Sequence, residues 1–98
     1  MVATRVRKGA YQASKEELAA RFGRLQGQIS GIARMVEEER YCPEVLTQIS
    51  SAVAALEKIG FILLREHIAN CVVDDAIGGR RDEAVDELLA VVHRFAGR

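Results

Sequence analysis

Two cysteines and one histidine are the residues whose types and spacing could do chemistry. His67 and Cys71 are four residues apart, so on a helix both side chains project from one face, about one turn apart. Cys42 lies 25 residues before His67. Thiolate ligands select Cu(I), zinc or iron–sulfur clusters. A structural zinc site normally has four ligands, so three soft ligands without an obvious fourth favour trigonal Cu(I).

The elements that must position these residues are helices. Pro occurs once and turn-forming clusters are nearly absent, so the sequence predicts an all-α fold with a three-helix protomer. The first helix starts at Ser14, which has the capping-box spacing to Glu17, and ends at about Glu39. It carries an apolar seam at steps of three and four residues: Leu18, Phe22, Leu25, Ile29, Ile32 and Val36.

The second helix is predicted to be unusually long. It starts near Pro43, which suits a first helical turn, and nothing breaks it before Gly78 and Gly79. It therefore spans about 35 residues, or roughly 50 Å. The third helix is predicted from about Asp82 to Phe95 and buries Val85, Leu88, Leu89 and Val92.

The second helix has two apolar stripes rather than one. The first contains Leu46, Ile49, Val53, Leu56, Gly60, Leu63 and His67, and the second contains Val45, Ala52, Ile59 and Ile62. A compact monomer of this size has a radius of gyration of only about 13 Å and cannot cover both stripes. The sequence therefore predicts an obligate oligomer, built by antiparallel packing of long helices about a two-fold axis.

The predicted oligomer also decides where a metal site can form. Along one straight helix, Cys42 and His67 are separated by roughly 37 Å, whereas metal–ligand bonds are about 2.0–2.3 Å long. An antiparallel dimer places Cys42 beside the partner subunit's His67 and Cys71, which gives two equivalent sites. The alternative is that all three are ordinary buried residues. His93, at the end of the last helix, is expected at the surface.

The charge distribution suggests a second function. The net charge is zero, but residues 1–35 carry seven bases against two acids, a net +5, and residues 36–98 carry seven bases against twelve acids, a net −5. A basic N-terminal third is expected of a surface that faces phosphates, although a solvated helix face is the alternative. We expect residues 1–13 to be a flexible basic tail and residues 14–98 to form a single helical domain.

Several other classes are disfavoured by the sequence. No run of about 18 apolar residues predicts a membrane span, and residues 1–9 lack the apolar stretch of a secretory signal. We therefore expect a cytoplasmic protein whose cysteines are free thiols or metal ligands. An enzyme is not expected, because there is no acid/base pair, glycine-rich phosphate loop or Ser/His/Asp pattern.

The sequence resembles the copper-sensing operon repressors, the CsoR/RcnR family, from about Lys15 to Leu89. The residues that carry the resemblance are Arg24 to Ile32, Arg34-Met35-Val36, Arg40-Tyr41-Cys42, Leu46 to Ser50, and His67 to Val72. The resemblance implies an antiparallel four-helix-bundle dimer and a tetramer formed by two dimers. It also implies repression of efflux or detoxification genes, with release of operator DNA when the ligand binds.

Individual residues take roles from the resemblance. Cys42, His67 and Cys71 match the Cys–His–Cys triad of the copper-sensing members, so Cu(I) is the expected cofactor. Tyr41 and Glu87 match positions behind the copper site, where a hydrogen bond to the second imidazole nitrogen fixes the orientation of the ligand. The ordinary alternatives are packing for Tyr41 and a solvated helix face for Glu87.

For DNA, the resemblance indicates basic residues of the first two helices: Lys15, Arg21, Arg24 and Lys58. No helix-turn-helix is visible, so binding is expected to depend on phosphate contacts and DNA shape. Gln26 and Ser30 depart from many copper sensors and are closer to persulfide- and nickel/cobalt-sensing branches. A thiol sensor that uses Cys42 and Cys71 is therefore the main alternative, and a metal-handling protein without a DNA role is another.

Overall fold

The computed structural model describes residues 9–96, and these residues form three helices and no strand. A 3-10 turn, Gln12–Ser14, precedes helix α1, Lys15–Glu37. Helix α2 runs continuously over Cys42–Ile77, and helix α3 is Arg81–Ala96. The predicted all-α, three-helix protomer is confirmed. Residues 1–8 of the expected basic tail lie outside the described residues.

The chain divides into two compact units. One is Ala13–Leu63, and the other combines Met1–Gln12 with Leu64–Arg98. The first unit contains the apolar core, and the second contains His67, Cys71 and the whole of α3.

The core lies between α1 and the first part of α2. Leu18 and Leu25 of α1 and Ile59 of α2 are buried. Ala52, Ala55, Ile62 and Leu63 are partly buried against them. The second of the two predicted stripes of α2 therefore faces α1, as its helical spacing requires.

The other stripe of α2 is covered only at its C-terminal end, where Leu63 packs against the core. Leu46, Ile49, Val53 and Leu56, which we call the open stripe, are between 42% and 61% exposed. Phe22, Ile29 and Val36 of the α1 seam are also exposed. A contiguous apolar face of this kind is rare on a soluble monomer and marks an interaction surface.

Helix α2 is also long and apolar enough to cross a membrane by length and composition alone. It has 36 residues, a window of mean hydropathy 1.3, and only 17% of that window is buried. Glu57 and Lys58 lie in the middle of the helix, where charge is costly in lipid. The same length and composition are typical of the central helix of a helical bundle.

The long helix is not regular throughout. Its α-helical part, Cys42–His67, is followed by a π turn, Ile68–Val72, and by a last α-helical segment, Val73–Ile77. In the π turn the N–H of Val73 donates to the carbonyl of Ile68, five residues earlier. The sequence predicted a helix of the correct extent but not this wider turn. Such turns inside α-helices occur frequently at functional sites.

Helices α1 and α2 end in the same way. After α1, Arg40 N–H donates to the Met35 carbonyl at 2.9 Å, and Glu39 N–H donates to the Val36 carbonyl at 3.0 Å. After α2, the Arg80 and Gly79 N–H groups repeat this pattern. Both are Schellman motifs, which require a left-handed residue. Gly79 (φ 87°) suits that position, whereas at α1 the residue is Glu39 (φ 55°).

The capping box predicted at the start of α1 does not form. Ser14 occupies the N-cap position, but its side chain makes no capping hydrogen bond. The Glu17 carboxylate accepts a hydrogen bond from Arg21 Nε at 3.1 Å, one turn further along the helix. An ion pair between residues four apart therefore forms where the cap was predicted.

We expect Glu39→Gly to stabilise the protein by about 0.5–1 kcal/mol, because a left-handed backbone costs a non-glycine residue about 1–2 kcal/mol. Glu38→Gly is the matched control. Glu38 has φ −84°, which any residue can adopt. Glycine at this position therefore only adds conformational freedom to the unfolded chain and should destabilise the folded protein. Urea unfolding at fixed protein concentration measures both changes. Equal destabilisation by the two variants would contradict the assignment of Glu39 as a left-handed residue that favours glycine.

Candidate metal centre

His67 and Cys71 lie together at the wall of one cavity. The cavity has a volume of about 490 Å³. Its lining residues are Gly9, His67, Cys71, Glu87, Ala90, Val91 and Arg94. Both side chains of the pair are half-buried, and Cys71 is a free thiol. The sequence predicted that this pair shares a face, and the structure brings both residues to the same opening.

The π turn follows His67 directly and contains Cys71. His67 is the last residue of the regular α-helical part of α2, and Cys71 lies within Ile68–Val72. A π turn has a wider hydrogen-bonded ring than an α-helix. The direction of the Cys71 thiol relative to the imidazole is therefore set by this turn and not by regular α-helical spacing.

The segment before the first helix closes another side of the cavity. Asn70, in the middle of the π turn, donates a hydrogen bond from Nδ2 to the Ala10 carbonyl at 2.8 Å. The Gln12 side chain donates to the Gly9 carbonyl at 3.1 Å, and Gly9 lines the cavity. No sequence signal indicated Asn70, because an asparagine on a helix does not point to a distant carbonyl as its partner.

Helix α3 supplies the wall opposite the ligand pair. Glu87, Ala90, Val91 and Arg94 follow helical spacing and line the cavity together. Glu87 also lines a smaller cavity of about 90 Å³ with Asp75, Arg80, Glu83 and Ala84. A position beside the ligand pair is what the resemblance implied for Glu87. Arg94 was not predicted, although it lies two helical turns after Glu87 and therefore on the same face.

Cys42 lies at the other end of the α-helical part of α2. It is the first residue of Cys42–His67, and it is an exposed free thiol. The side chain of Tyr41, just before it, is also exposed. The Tyr41 carbonyl accepts from the N–H groups of Glu44 and Val45 at the start of the helix. Among the described residues no group of three potential ligands lies together, so one chain brings together only two of the three predicted ligands.

The two thiols and one imidazole suit a soft metal ion, provided that two chains contribute them to one site. Both cysteines are free thiols, and His67 and Cys71 already face one opening. Thiolate and imidazole suit Cu(I) better than oxygen-preferring cations. Cys42, exposed at a helix end, is accessible to a second copy of the chain.

The basic residues predicted to contact DNA lie on the surface of the Ala13–Leu63 unit. Lys15, Arg24 and Lys58 are exposed. Arg21 is half-buried and forms an ion pair with Glu17 at 3.0 Å. Exposed cations without fixed partners can approach phosphates at little cost, whereas Arg21 would have to leave Glu17.

Comparison with known proteins defines the class. A family of metal-sensitive transcriptional repressors matches residues 14–94, which include α1, α2 and all but the last two residues of α3. Cys42, His67 and Cys71 lie within this range. The chain belongs to this family. Members of this family are described as transcriptional repressors and not as enzymes.

Particular relatives narrow the family further. The copper-sensing transcriptional repressor CsoR of Bacillus subtilis (strain 168) is 40% identical over 81 residues, which are 83% of this chain and 80% of that protein. The copper-sensing repressor CsoR with Cu(I) from Geobacillus thermodenitrificans NG80-2 superposes with a TM-score of 0.81 at 34% identity, covering 97% and 94% of the two chains. The fold is thus that of the CsoR repressors.

A nickel sensor has a similar structure. The nickel-responsive transcriptional regulator InrS superposes with a TM-score of 0.74 at 32% identity, covering 93% of this chain and 99% of that one. The fold therefore accommodates more than one metal response, and the metal must be argued from the site residues.

Proposed function

We propose that this protein represses transcription by binding operator DNA in its metal-free form and that it releases DNA when Cu(I) binds. The proposed ligands are Cys42 of one subunit and the partner subunit's His67 and Cys71. The observation that supports this proposal best is the cavity at which His67 and Cys71 meet while Cys42 lies at the opposite end of Cys42–His67.

The open stripe supports the assembly that such a site needs. Its four apolar side chains are exposed in the single chain, and burying apolar surface stabilises by about 25 cal/mol per Å². We propose that two copies cover these stripes as an antiparallel four-helix bundle and that two such dimers form a tetramer. Because operator DNA is the proposed partner, the proposed location of the protein is the cytoplasm.

The ligand types support Cu(I) over nickel or zinc. Two thiolates and one imidazole form a soft, low-coordination set, and the copper-sensing relatives include a structure with Cu(I). When bound, Cu(I) supplies a soft centre that joins three side chains from two subunits. We propose that Glu87 orients the imidazole, which is supported by its position in the same cavity lining as His67. Tyr41, which precedes Cys42 in sequence, is the other residue proposed to support the site.

The coupling to DNA is proposed to pass through α3. Glu87 is the α3 carboxylate at the wall of the ligand cavity, so a displacement of His67 or Cys71 reaches α3 directly. DNA is released only if the conformation with the joined ligands has lower DNA affinity than the other conformation. Lys15, Arg21, Arg24 and Lys58 are the proposed phosphate contacts.

A thiol sensor is the second candidate function, because both cysteines are free thiols. In that case a polysulfide transfers one sulfur atom to Cys42 and one to the partner subunit's Cys71 and is itself shortened. The two persulfides then condense to a trisulfide with loss of hydrogen sulfide, and His67 has no essential role. The two functions differ in what they require of the imidazole.

For a copper sensor, His67→Ala should lower the Cu(I) affinity at least tenfold and abolish copper-induced release of operator DNA, because one of three ligands is removed. Anaerobic Cu(I) titration with operator DNA present, followed by fluorescence anisotropy, measures both effects. His93→Ala, an exposed histidine of α3, is the control and should respond normally. Full copper-induced release of DNA by His67→Ala would contradict the copper site. If the unmodified protein and His67→Ala both release DNA with polysulfide and neither does so with copper, the thiol sensor is favoured.

The DNA surface can be tested separately with Arg24→Gln. Removing one phosphate-binding guanidinium per subunit should weaken binding of the metal-free protein to operator and to unrelated DNA alike. The slope of log K against log [salt] should fall by about one for each phosphate that is no longer neutralised. Arg81→Gln, on α3 outside the proposed surface, should leave the slope unchanged. An unchanged slope for Arg24→Gln would remove Arg24 from the interface.

A further inference from the structure

Arg94 is a cation in the ligand cavity that the proposed site does not yet use. It lines the cavity together with His67, Cys71 and Glu87, and the other lining residues are Gly9, Ala90 and Val91. Among the described residues that line the cavity, its guanidinium is the one permanent positive charge. Among residues 9–96, none forms an ion pair with Arg94.

The charge of a metal complex at this site depends on the metal. Ligating cysteines are deprotonated and ligating histidine is neutral. Cu(I) with two thiolates and one imidazole carries a net charge of −1, whereas a divalent ion with the same ligands is neutral. A fixed positive charge nearby stabilises the first complex and not the second.

Glu87 adds a charge of the opposite sign to the wall of the same cavity. Its carboxylate lines the same cavity, so a Cu(I) complex there faces a second negative charge. Arg94 lies seven residues further along α3, on the same helix face and two turns away. It can therefore offset the repulsion between this carboxylate and an anionic complex.

We propose that Arg94 is a specificity-determining residue that favours monovalent over divalent metal ions at the ligand cavity. This inference rests on the proposed function, since it needs the metal to bind at Cys42 and at the partner subunit's His67 and Cys71. Arg94 acts through its charge and is not a ligand, so its effect should depend on charge and on ionic strength.

The test compares Cu(I) and Zn(II) affinities of the full-length protein by competition with a chromophoric chelator, under anaerobic conditions. Arg94→Gln should lower the Cu(I) affinity about threefold to tenfold, as Coulomb's law gives for unit charges across a partly solvated cavity. The Zn(II) affinity should stay the same or rise. The Cu(I) deficit should shrink as salt is raised, because mobile ions screen exposed charges.

Two further variants separate charge from shape. Arg94→Lys keeps the positive charge and should retain most of the Cu(I) preference. Arg81→Gln removes a charge from an exposed position of the same helix and should change neither affinity. Equal losses for Cu(I) and Zn(II) in Arg94→Gln, or failure of lysine to rescue, would overturn the role in specificity.

The same titrations distinguish this inference from the proposed function. If the unmodified protein binds Cu(I) tightly and Cys71→Ser abolishes binding, the proposed copper site is supported. Unchanged Cu(I) and Zn(II) affinities in Arg94→Gln would then refute only the role of Arg94 in specificity. If Cys71→Ser binds Cu(I) as the unmodified protein does, both are refuted. Circular dichroism and Tm at fixed protein concentration confirm that each variant is folded.

Discussion

The length of one uninterrupted α-helix is the constraint on which the site depends. Cys42 and His67 are the first and last residues of a 26-residue α-helical segment, and a rise of 1.5 Å per residue separates them by roughly 37 Å. A metal ion can bridge only about 4 Å between ligand atoms. The same helix carries the open stripe, whose apolar side chains need a partner. One antiparallel pairing of two chains would satisfy both demands, which is why the proposed site and assembly stand or fall together.

The positions of the helices could be predicted from the sequence, because apolar periodicity determines where helices form. Burial was predicted less well, since Val85 and Leu89 of α3, which were expected to be buried, are exposed. The ends of α1, α2 and α3 were predicted to within about two residues, and the Ile59 stripe was correctly identified. The π turn could not be predicted, since no residue type within Ile68–Val72 is incompatible with a regular α-helix. The failed cap at Ser14 has a similar cause. Its spacing to Glu17 was suitable, but the Ser14 backbone has φ −103° and ψ 2° and not the extended conformation of a capping residue.

The candidate site was only partly accessible from sequence, for a physical reason. The spacing of His67 and Cys71 identifies a pair on one helix, and this pair does share a cavity. Arg94 and Gly9 enter the same cavity from parts of the chain with no fixed sequence distance to that pair, so only tertiary structure reveals them. Proteins of this fold include a copper-sensing repressor and a nickel-responsive regulator, and charges near the ligands are one way in which a metal preference can arise.

The most direct test of a site shared between subunits is to mix two defective chains. Cys42→Ser and His67→Ala chains, differently tagged, are unfolded together, refolded and loaded with Cu(I), and native mass spectrometry counts copper in each dimer. A shared site predicts that each heterodimer binds one copper ion, because one of its two sites is complete and the other lacks both Cys42 and His67. The whole mixture should then bind about one quarter of the copper that the unmodified protein binds. Heterodimers that form but bind no copper would contradict the account.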